Sequence, residues 1–286
     1  TDFVQKKSSD LLHELKYLVP IMKHSSLEAC PELPDQLAID LLHCGSSKLE
    51  RTARVEAGTL GRGNHFLEFQ KDTHGQLWLM LHTGSRGVGQ SISHAYSPQE
   101  SYSMDSPEGQ KFWADMNWAI DYAQWNRHLI LERLSSFLER EFKISAIKET
   151  LIECQHDHIA REIHFGEELF VHRKGANRAQ KGDKVIIAGS MGTPSFHVTG
   201  RGFENSLRSC SHGAGRCMSR TEARRFISEN RFLKETQGVI FPQAARRSLI
   251  EESPSAYKNI HKVMRAQKDF IKIDRELQPL LSYKGS

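Results

Sequence analysis

Fifteen histidines occur in this chain of 286 residues, and three of them stand where chemistry could be done: His65 in GNHFLE, His82 in LHTGSRG and His156 in CQHDHIARE. Each lies beside a glycine turn or at the edge of a short apolar run, where side chains from separate segments can be aimed at one point. Neutral imidazole binds divalent transition metals, and a site needs several such ligands converging. Taken singly, each is more often a structural histidine held by ordinary hydrogen bonds. The spacing matches neither a zinc finger nor an H-E-x-x-H helix. A fourth, His212 in SCSHGAGR, sits among small residues and hydroxyls. An unprotonated imidazole nitrogen can attack phosphorus to give a phosphoramidate; the plain alternative is a loop histidine bonded to a backbone carbonyl.

Four glycine-rich turns accompany these histidines: GRGNH, GSRGVG, GSMG and HGAGR. Glycine lets backbone N–H groups converge on an anion with no Cβ in the way. Arg86 and Arg216 add a guanidinium fork to two of the turns. No G-x-x-x-x-G-K-[ST] and no G-x-G-x-x-G is present, so neither a Walker loop nor a Rossmann turn is implied.

The elements that must position these residues follow from periodicity. Leu11, Leu12, Leu15, Leu18, Val19 and Met22 predict an amphipathic helix over 8–23, and a second is expected over 35–55. Between Gly58 and Gly89 the runs HFLEF and LWLMLHT read as strands between glycine turns, GSRGVG being one of them. Pro107 and Glu108 open a helix over 107–142 whose Trp113, Trp118, Tyr122, Trp125 and Leu129 recur at helical spacing. Those aromatics read as core; a base-stacking platform is the lesser alternative. Cys154 to Arg220 has strand and loop texture, and Ser253-Pro254 opens a final helix over 255–277 before a short tail, LLSYKGS. No internal repeat or low-complexity linker interrupts the pattern, which predicts one integrated α+β domain over 1–286.

Composition narrows the class. With 38% hydrophobic residues the chain can bury a substantial core, which excludes a disordered tail. Lys plus Arg count 39 against 35 Asp plus Glu, a net +4, too little for a general cationic coat but compatible with a local basic channel. No stretch reaches the roughly 20 apolar residues of a membrane helix, and no secretory leader opens the sequence, so no membrane partner and a cytoplasmic location are expected. Five cysteines without a C-x-x-C pair fit reduced thiols. The first block reads as a helix already under way, so sequence upstream of Thr1 is expected.

In order along the chain, GTLGRGNHFLE, LHTGSRGVG, EIHFGEELFVHRKGA, GSMGTPSF and SCSHGAGRCMSR closely resemble the signature blocks of the RtcB RNA-splicing ligase family. The resemblance extends from about the first helix to the near-terminal Lys-Gly. It implies an α+β fold with mixed or antiparallel sheets around a central metal and nucleotide cleft, flanked by helices. It also implies a GTP- and manganese-dependent ligase that joins an RNA 3′-phosphate or 2′,3′-cyclic phosphate end to a 5′-hydroxyl end. By motif, His65, His82 and His156 match metal ligands for two Mn²⁺ ions, and His212 matches the histidine that becomes guanylylated. Asn64, His65, Phe66, Leu67, Glu68, His156, Asp157, Ala188, Gly189, Ser190, Met191, Ser195, His212, Gly213, Ala214, Gly215 and Lys284 match guanylate-binding positions, with Tyr257 lining the guanine pocket. Glu68 is expected to accept hydrogen bonds from the guanine edge and Lys284 to reach its carbonyl side.

Two departures from the family pattern qualify this. The family's upstream Asp-x-x-Cys, which supplies an aspartate and a metal-bridging cysteine, has no match at Cys30 or Cys44, and is expected before Thr1. CQHDH carries Asp157 where the family more often has asparagine, adding a negative charge beside the metals and suggesting a divergent subgroup. Two rivals stay open: a catalytically reduced RNA-binding or ribosome-associated module of the same fold, and a metal-dependent cyclic phosphoesterase. Which RNA is joined, and whether an activating or release-factor-like protein assists, also stays open.

Overall fold

The computed structural model describes residues 2–26, 30–99 and 101–285. Its helices are α1 (Asp2–Lys6), α2 (Ser8–Leu18), α3 (Ser47–Glu56), α4 (Arg86–Tyr96), α5 (Pro107–Phe142), α6 (Arg220–Phe226), α7 (Glu229–Glu235) and α8 (Ile260–Ala266). The strands are β1 (Phe66–Asp72), β2 (Leu77–His82), β3 (Asp157–His164), β4 (Glu167–Lys174), β5 (Ala176–Arg178), β6 (Lys184–Ile187), β7 (Ser195–Gly200), β8 (Ser209–Ser211) and β9 (Ile271–Lys284). The fold is α+β, with a five-stranded antiparallel sheet in the order β2-β1-β9-β7-β6 and two two-stranded pairs, the hairpin β3-β4 and the β5-β8 pair, whose strands are separated in the chain by β6 and β7.

Alternation along β1 separates the two faces of the sheet. Leu67 and Phe69 join Leu281 and Tyr283 of β9 in a core closed by Leu11 and Leu15 of α2 and Ile130 and Leu134 of α5. Phe66, Glu68 and Gln70 project to the other face, where Phe66 packs with Met80 and Ala188. That face borders an open cleft of about 1470 Å³ also lined by β2, α4, α5 and the start of β3.

The long helix forms over the residues its periodicity predicts. Ser106 caps it by accepting from the Gly109 N–H at 3.0 Å, and Pro107 occupies the first turn. It stops at Lys143, which takes φ 59° while Ile144 N–H returns to the Leu138 carbonyl. Trp118 and Tyr122 are buried against α3 and α4, as the core reading expected, with Trp125 half-buried beside them, whereas Trp113 lines the cleft and packs edge-on against Phe170. Asn126, one turn further, is fully buried.

Four expectations are corrected. The first helix ends at Leu18, because Pro20 disfavours helical backbone before it. Over 35–55 only α3 is an α-helix; Asp35–Leu37 and Ile39–Leu41 are 3₁₀ turns, and Ser46 starts the helix by accepting from Leu49 N–H at 3.2 Å. GSRGVG is no free turn but the opening of α4, whose Gly87 N–H is held by the Glu56 carboxylate at 2.6 Å. The expected helix over 255–277 ends at Ala266, and its remainder with most of the supposed tail forms β9, the middle strand of the sheet. Pro279, which has no N–H to donate, sits where the β1–β9 register shifts beside Phe69 and Gln70.

Candidate functional site

Loops from both hairpins of the sheet meet at the cleft. His65 precedes β1 and His82 ends β2, and the register sets Phe66 opposite His82, so the two imidazoles become neighbours with ring centroids 5.8 Å apart. α5 fixes both loops through one amide: Asn126 accepts from Gly58 N–H at 2.7 Å and donates to the carbonyls of Thr59 at 3.3 Å and Gly84 at 3.2 Å. The next residue, Arg127, donates to Thr83 O at 3.3 Å and twice to Glu153 Oε1, at 2.8 and 2.6 Å, which ties the segment leading to His156 to the same helix. His156 then lies with Nε2 only 3.1 Å from His82 Nε2.

Burial pushes the His65 imidazole down to about 4, helped by the charges of Arg86, Lys284 and His156. Burial lowers His82 well below the usual histidine range, with His156 and His65 adding to it. Both rings are therefore neutral near pH 7 and keep a nitrogen lone pair. His156 Nδ1 is 3.1 Å from Asp157 Oδ1, so a proton on Nδ1 is held by the carboxylate and the lone pair stays on Nε2, facing His82. Asp157 also accepts Gly175 N–H at 2.8 Å and pairs with Lys174. Burial raises its carboxyl, but these three partners outweigh it and hold Asp157 well below the usual carboxylate range. The Asp157 charge is thus matched by Lys174 and engaged in orienting His156.

His65 Nδ1 lies 3.5 Å from the Arg86 guanidinium, which also donates to Thr59 Oγ1 and to the carbonyls of Ile21 and Met22. Arg86 takes φ 57°, a left-handed backbone that a non-glycine residue rarely adopts, and these bonds hold it there. Among the described residues no three His, Cys, Asp or Glu side chains are gathered as a metal cage. The donor chemistry of His82 and His156 nonetheless fits a divalent transition metal: their Nε2 atoms stand 3.1 Å apart, one N–H donating to the other's lone pair, and both would turn lone pairs to a bound ion, with His65 next in line. Cys44 lies elsewhere, its N–H bonded to Asp115 beneath α5, and supplies no donor here.

His212 follows β8 and stacks obliquely near His156, ring centroids 4.7 Å apart. Its Nδ1 is 2.6 Å from the Gly175 carbonyl oxygen. A carbonyl only accepts, so Nδ1 carries the proton and Nε2 keeps the lone pair. Burial, then the charge of His156, lowers the His212 imidazole below its ordinary value. Gly175, with φ 68°, is required twice over: a Cβ there would stand 3.2 Å from His212 Cε1 and 3.3 Å from Nδ1.

The other expected nucleotide positions divide into two groups. Glu68, Ser195 and Gly189 share one network: Gln70 Nε2 donates to Glu68 Oε2 at 2.9 Å and to Ser195 Oγ at 3.2 Å, and Gly189 N–H donates to Ser195 Oγ at 3.1 Å. Burial lifts the Glu68 carboxyl to about 6, against the bonds from Gln70 and Ser282. Ala188 and Gly213 are bridged in parallel, and Ser190 N–H bonds Thr193 Oγ1 at 2.7 Å, which sets the GSMG turn beside HGAG. Leu67, Met191 and Ala214 instead bury their side chains in three separate cores, leaving only main-chain atoms for a ligand. Asn64 is exposed and accepts from Arg220 at 2.8 Å, and Gly215 takes φ 73° beside Lys258.

Lys284 and Tyr257 converge on a residue the sequence reading missed. Lys284 Nζ is 2.7 Å from Glu252 Oε2, and Tyr257 OH donates to the same oxygen at 2.6 Å. Arg216 donates to Tyr257 OH at 3.0 Å. Burial raises the Glu252 carboxyl, but Lys284, Tyr257 and Arg216 outweigh it and hold it ionised. Lys284 Nζ also lies 5.2 Å from the centroid of the Phe66 ring. Glu252, Asn126 and Arg127 lie in no recognised block; Gly175 lies in the last residues of one, EIHFGEELFVHRKGA, which gave no sign of its bond to His212.

The α+β fold brings four histidines, His65, His82, His156 and His212, to one cleft, the last with its Nδ1 held by a main-chain carbonyl. The chain belongs to the RtcB family: the family model described as tRNA-splicing ligase RtcB matches residues 22–285. It is similar to the RNA-splicing ligase RtcB of Escherichia coli, 38% identical over 252 residues covering 80% of this chain and 61% of that protein. It is also similar to the tRNA-splicing ligase RtcB of Methanococcus maripaludis, 32% identical with 76% and 57% covered, and to that of Pyrococcus horikoshii, 29% identical with 84% and 34% covered. The chain thus spans about three fifths or less of the length of these relatives.

Proposed function

We propose that this chain carries the nucleotidyl-transfer centre of an RNA ligase that uses GTP and manganese to join RNA 3′-phosphate or 2′,3′-cyclic phosphate ends to 5′-hydroxyl ends. The observation that carries the reading is the His212–Gly175 hydrogen bond beside the His82–His156 pair. Fixing the proton on Nδ1 leaves Nε2 as the nucleophile. Its attack on the α-phosphorus of GTP forms a P–N bond and breaks the P–O bond to pyrophosphate, which leaves. The ring then bears a positive charge, and the Gly175 carbonyl stabilises it through the retained Nδ1–H. Glu68, ionised near pH 7, accepts from the guanine edge, and the GSMG and HGAG main chains border the phosphates.

His65, His82 and His156 would hold manganese, which when bound supplies positive charge against the phosphate oxygens. Further donors are needed beyond these three imidazoles, since a divalent ion that acts on substrate takes more ligands than two close nitrogens. The five free cysteines and the lack, among described residues, of a helix long and apolar enough to cross a membrane support a cytoplasmic setting.

The test is covalent labelling. Incubation with Mn²⁺ and GTP radiolabelled at the α-phosphate is expected to label the chain at His212, and His212→Ala to abolish the label. A label that persists in His212→Ala overturns the reading. RNA binding by the wild type without any label would instead mark a catalytically reduced RNA-binding module.

A further inference from the structure

Arg173 is buried, its side chain 1% exposed, and it makes four bonds. Nη1 and Nη2 grip the two Glu162 carboxylate oxygens at 2.6 and 2.9 Å, Nη2 reaches Leu207 O at 3.1 Å, and Nε reaches Ser209 Oγ at 3.0 Å. Glu162 is fixed from behind by the fully buried His164, at 2.8 Å, whose other nitrogen meets Glu204 at 2.9 Å. The two segments gripped here are those that meet at the nucleophile. Gly175, whose carbonyl takes the His212 proton, is two residues beyond Arg173, and His212 is three beyond Ser209. The short β5–β8 ladder, Ala176 opposite Ser211, and the Ala179 N–H bond to the Arg208 carbonyl at 2.7 Å link them as well.

We propose that Arg173 is a positioning residue for His212: by binding β3, β4 and the start of β8 through one guanidinium, it sets the distance between the Gly175 carbonyl and the imidazole and so selects the Nδ1–H tautomer. The planar fork matters, because a lysine presents a point charge that satisfies Glu162 but cannot also span to Ser209 and Leu207. A short hydrogen bond between two loops is lost when either loop moves by a fraction of an ångström to an ångström, so the remote grip is felt at the nucleophile.

The proposal rests on the reading of His212 as nucleophile only for its kinetic consequence, and the experiment separates the two. The tautomer of His212 is read from imidazole ¹⁵N shifts of the metal-free full chain, in the wild type, Arg173→Lys and Ser209→Ala. The wild type is expected to show Nδ1–H. Arg173→Lys is expected to populate the Nε2–H form and to lower the maximal rate of self-labelling by roughly 10- to 100-fold, with the GTP concentration at half-maximal rate unchanged. Ser209→Ala, which keeps the Glu162 pair and loses the Arg173 tie to β8 together with the hydroxyl's own bond to Leu207 O at 3.0 Å, is expected to shift the tautomer in the same direction. An unchanged Nδ1–H tautomer in folded Arg173→Lys overturns the proposal, as does a rise in the half-maximal GTP concentration at unaltered maximal rate. If Arg173→Lys does not fold, an unchanged tautomer in Ser209→Ala overturns it alone. Absence of label in the wild type removes the nucleophile reading and leaves the tautomer comparison standing.

Discussion

His212 donates its Nδ1 proton to the carbonyl of Gly175 across 2.6 Å, a contact between residues 37 apart in the chain. The acceptor is a main-chain atom, so no side-chain substitution deletes it; it is disturbed only through geometry.

Gly175→Ala does that directly. The left-handed backbone, φ 68°, costs an alanine about 1–2 kcal/mol, and the new methyl pushes on the imidazole. Thermal unfolding is expected to show the modest loss, while GTP self-labelling falls far more than stability does. A variant that labels at the wild-type rate would show that the His212 position has slack.

Asp157→Asn keeps an oxygen for His156 Nδ1–H and for Gly175 N–H and gives up an exposed ion pair with Lys174, so unfolding is expected to change by less than about 1 kcal/mol. Asp157→Ala removes the partner that orients His156, and manganese affinity by titration calorimetry is expected to fall about 10- to 100-fold. Equal affinities for the two variants would remove Asp157 from metal orientation.

Acid should release the Glu162 network. Burial raises this carboxyl, but Arg173 and His164 outweigh it and hold it at about 2, below its ordinary 4.5. A depressed carboxylate contributes stability that is complete above about 4.5 and is lost as pH falls toward 2, a contribution on the order of 2–3 kcal/mol. Denaturant midpoints of the wild type should drop through that window, and those of Glu162→Gln should vary less with pH there.

Asn126→Leu leaves Gly58 N–H and the Thr59 and Gly84 carbonyls without their amide. Each buried group without a partner costs about 1–3 kcal/mol. A loss of several kcal/mol in urea unfolding is expected, together with loss of manganese, because both loops held by that amide lead to histidines.

Lys284→Met strands the buried Glu252 carboxylate and is expected to destabilise by about 3–5 kcal/mol, less whatever Tyr257 and Arg216 retain. Adding Glu252→Gln should restore most of the stability without restoring GTP labelling. Labelling regained in the double variant would show that Lys284 serves the fold alone.

The four histidines were legible because glycine and hydroxyl neighbours mark them as loop residues, and α5 because its apolar period runs unbroken between a Ser-Pro start and a left-handed stop. β9 was not. Its residues 272–276 alternate charge with Ile273 and sit on both faces of a sheet that borders the cleft, so they lack the in-out pattern of a half-buried strand. The bulges opposite Phe69 and His197 break its period further. The roles of Asn126, Glu252 and Arg173, the last inside a recognised block, were invisible for another reason: each acts on groups distant in sequence, and nothing local distinguishes a buried clamp from a surface polar residue.

The place of β9 orders the assembly of the protein in time. A ribosome completes the β1–β2 hairpin and the β6–β7 hairpin long before it makes the strand that joins them, and His65 and His82 belong to one half while Ala188 and His212 attach to the other. Pairings this distant in sequence form late. A nascent chain halted before Ile271 therefore holds both halves of the cleft with no shared strand between them, and the two are joined only after the stretch ending in Lys284 has been threaded into the middle of the sheet.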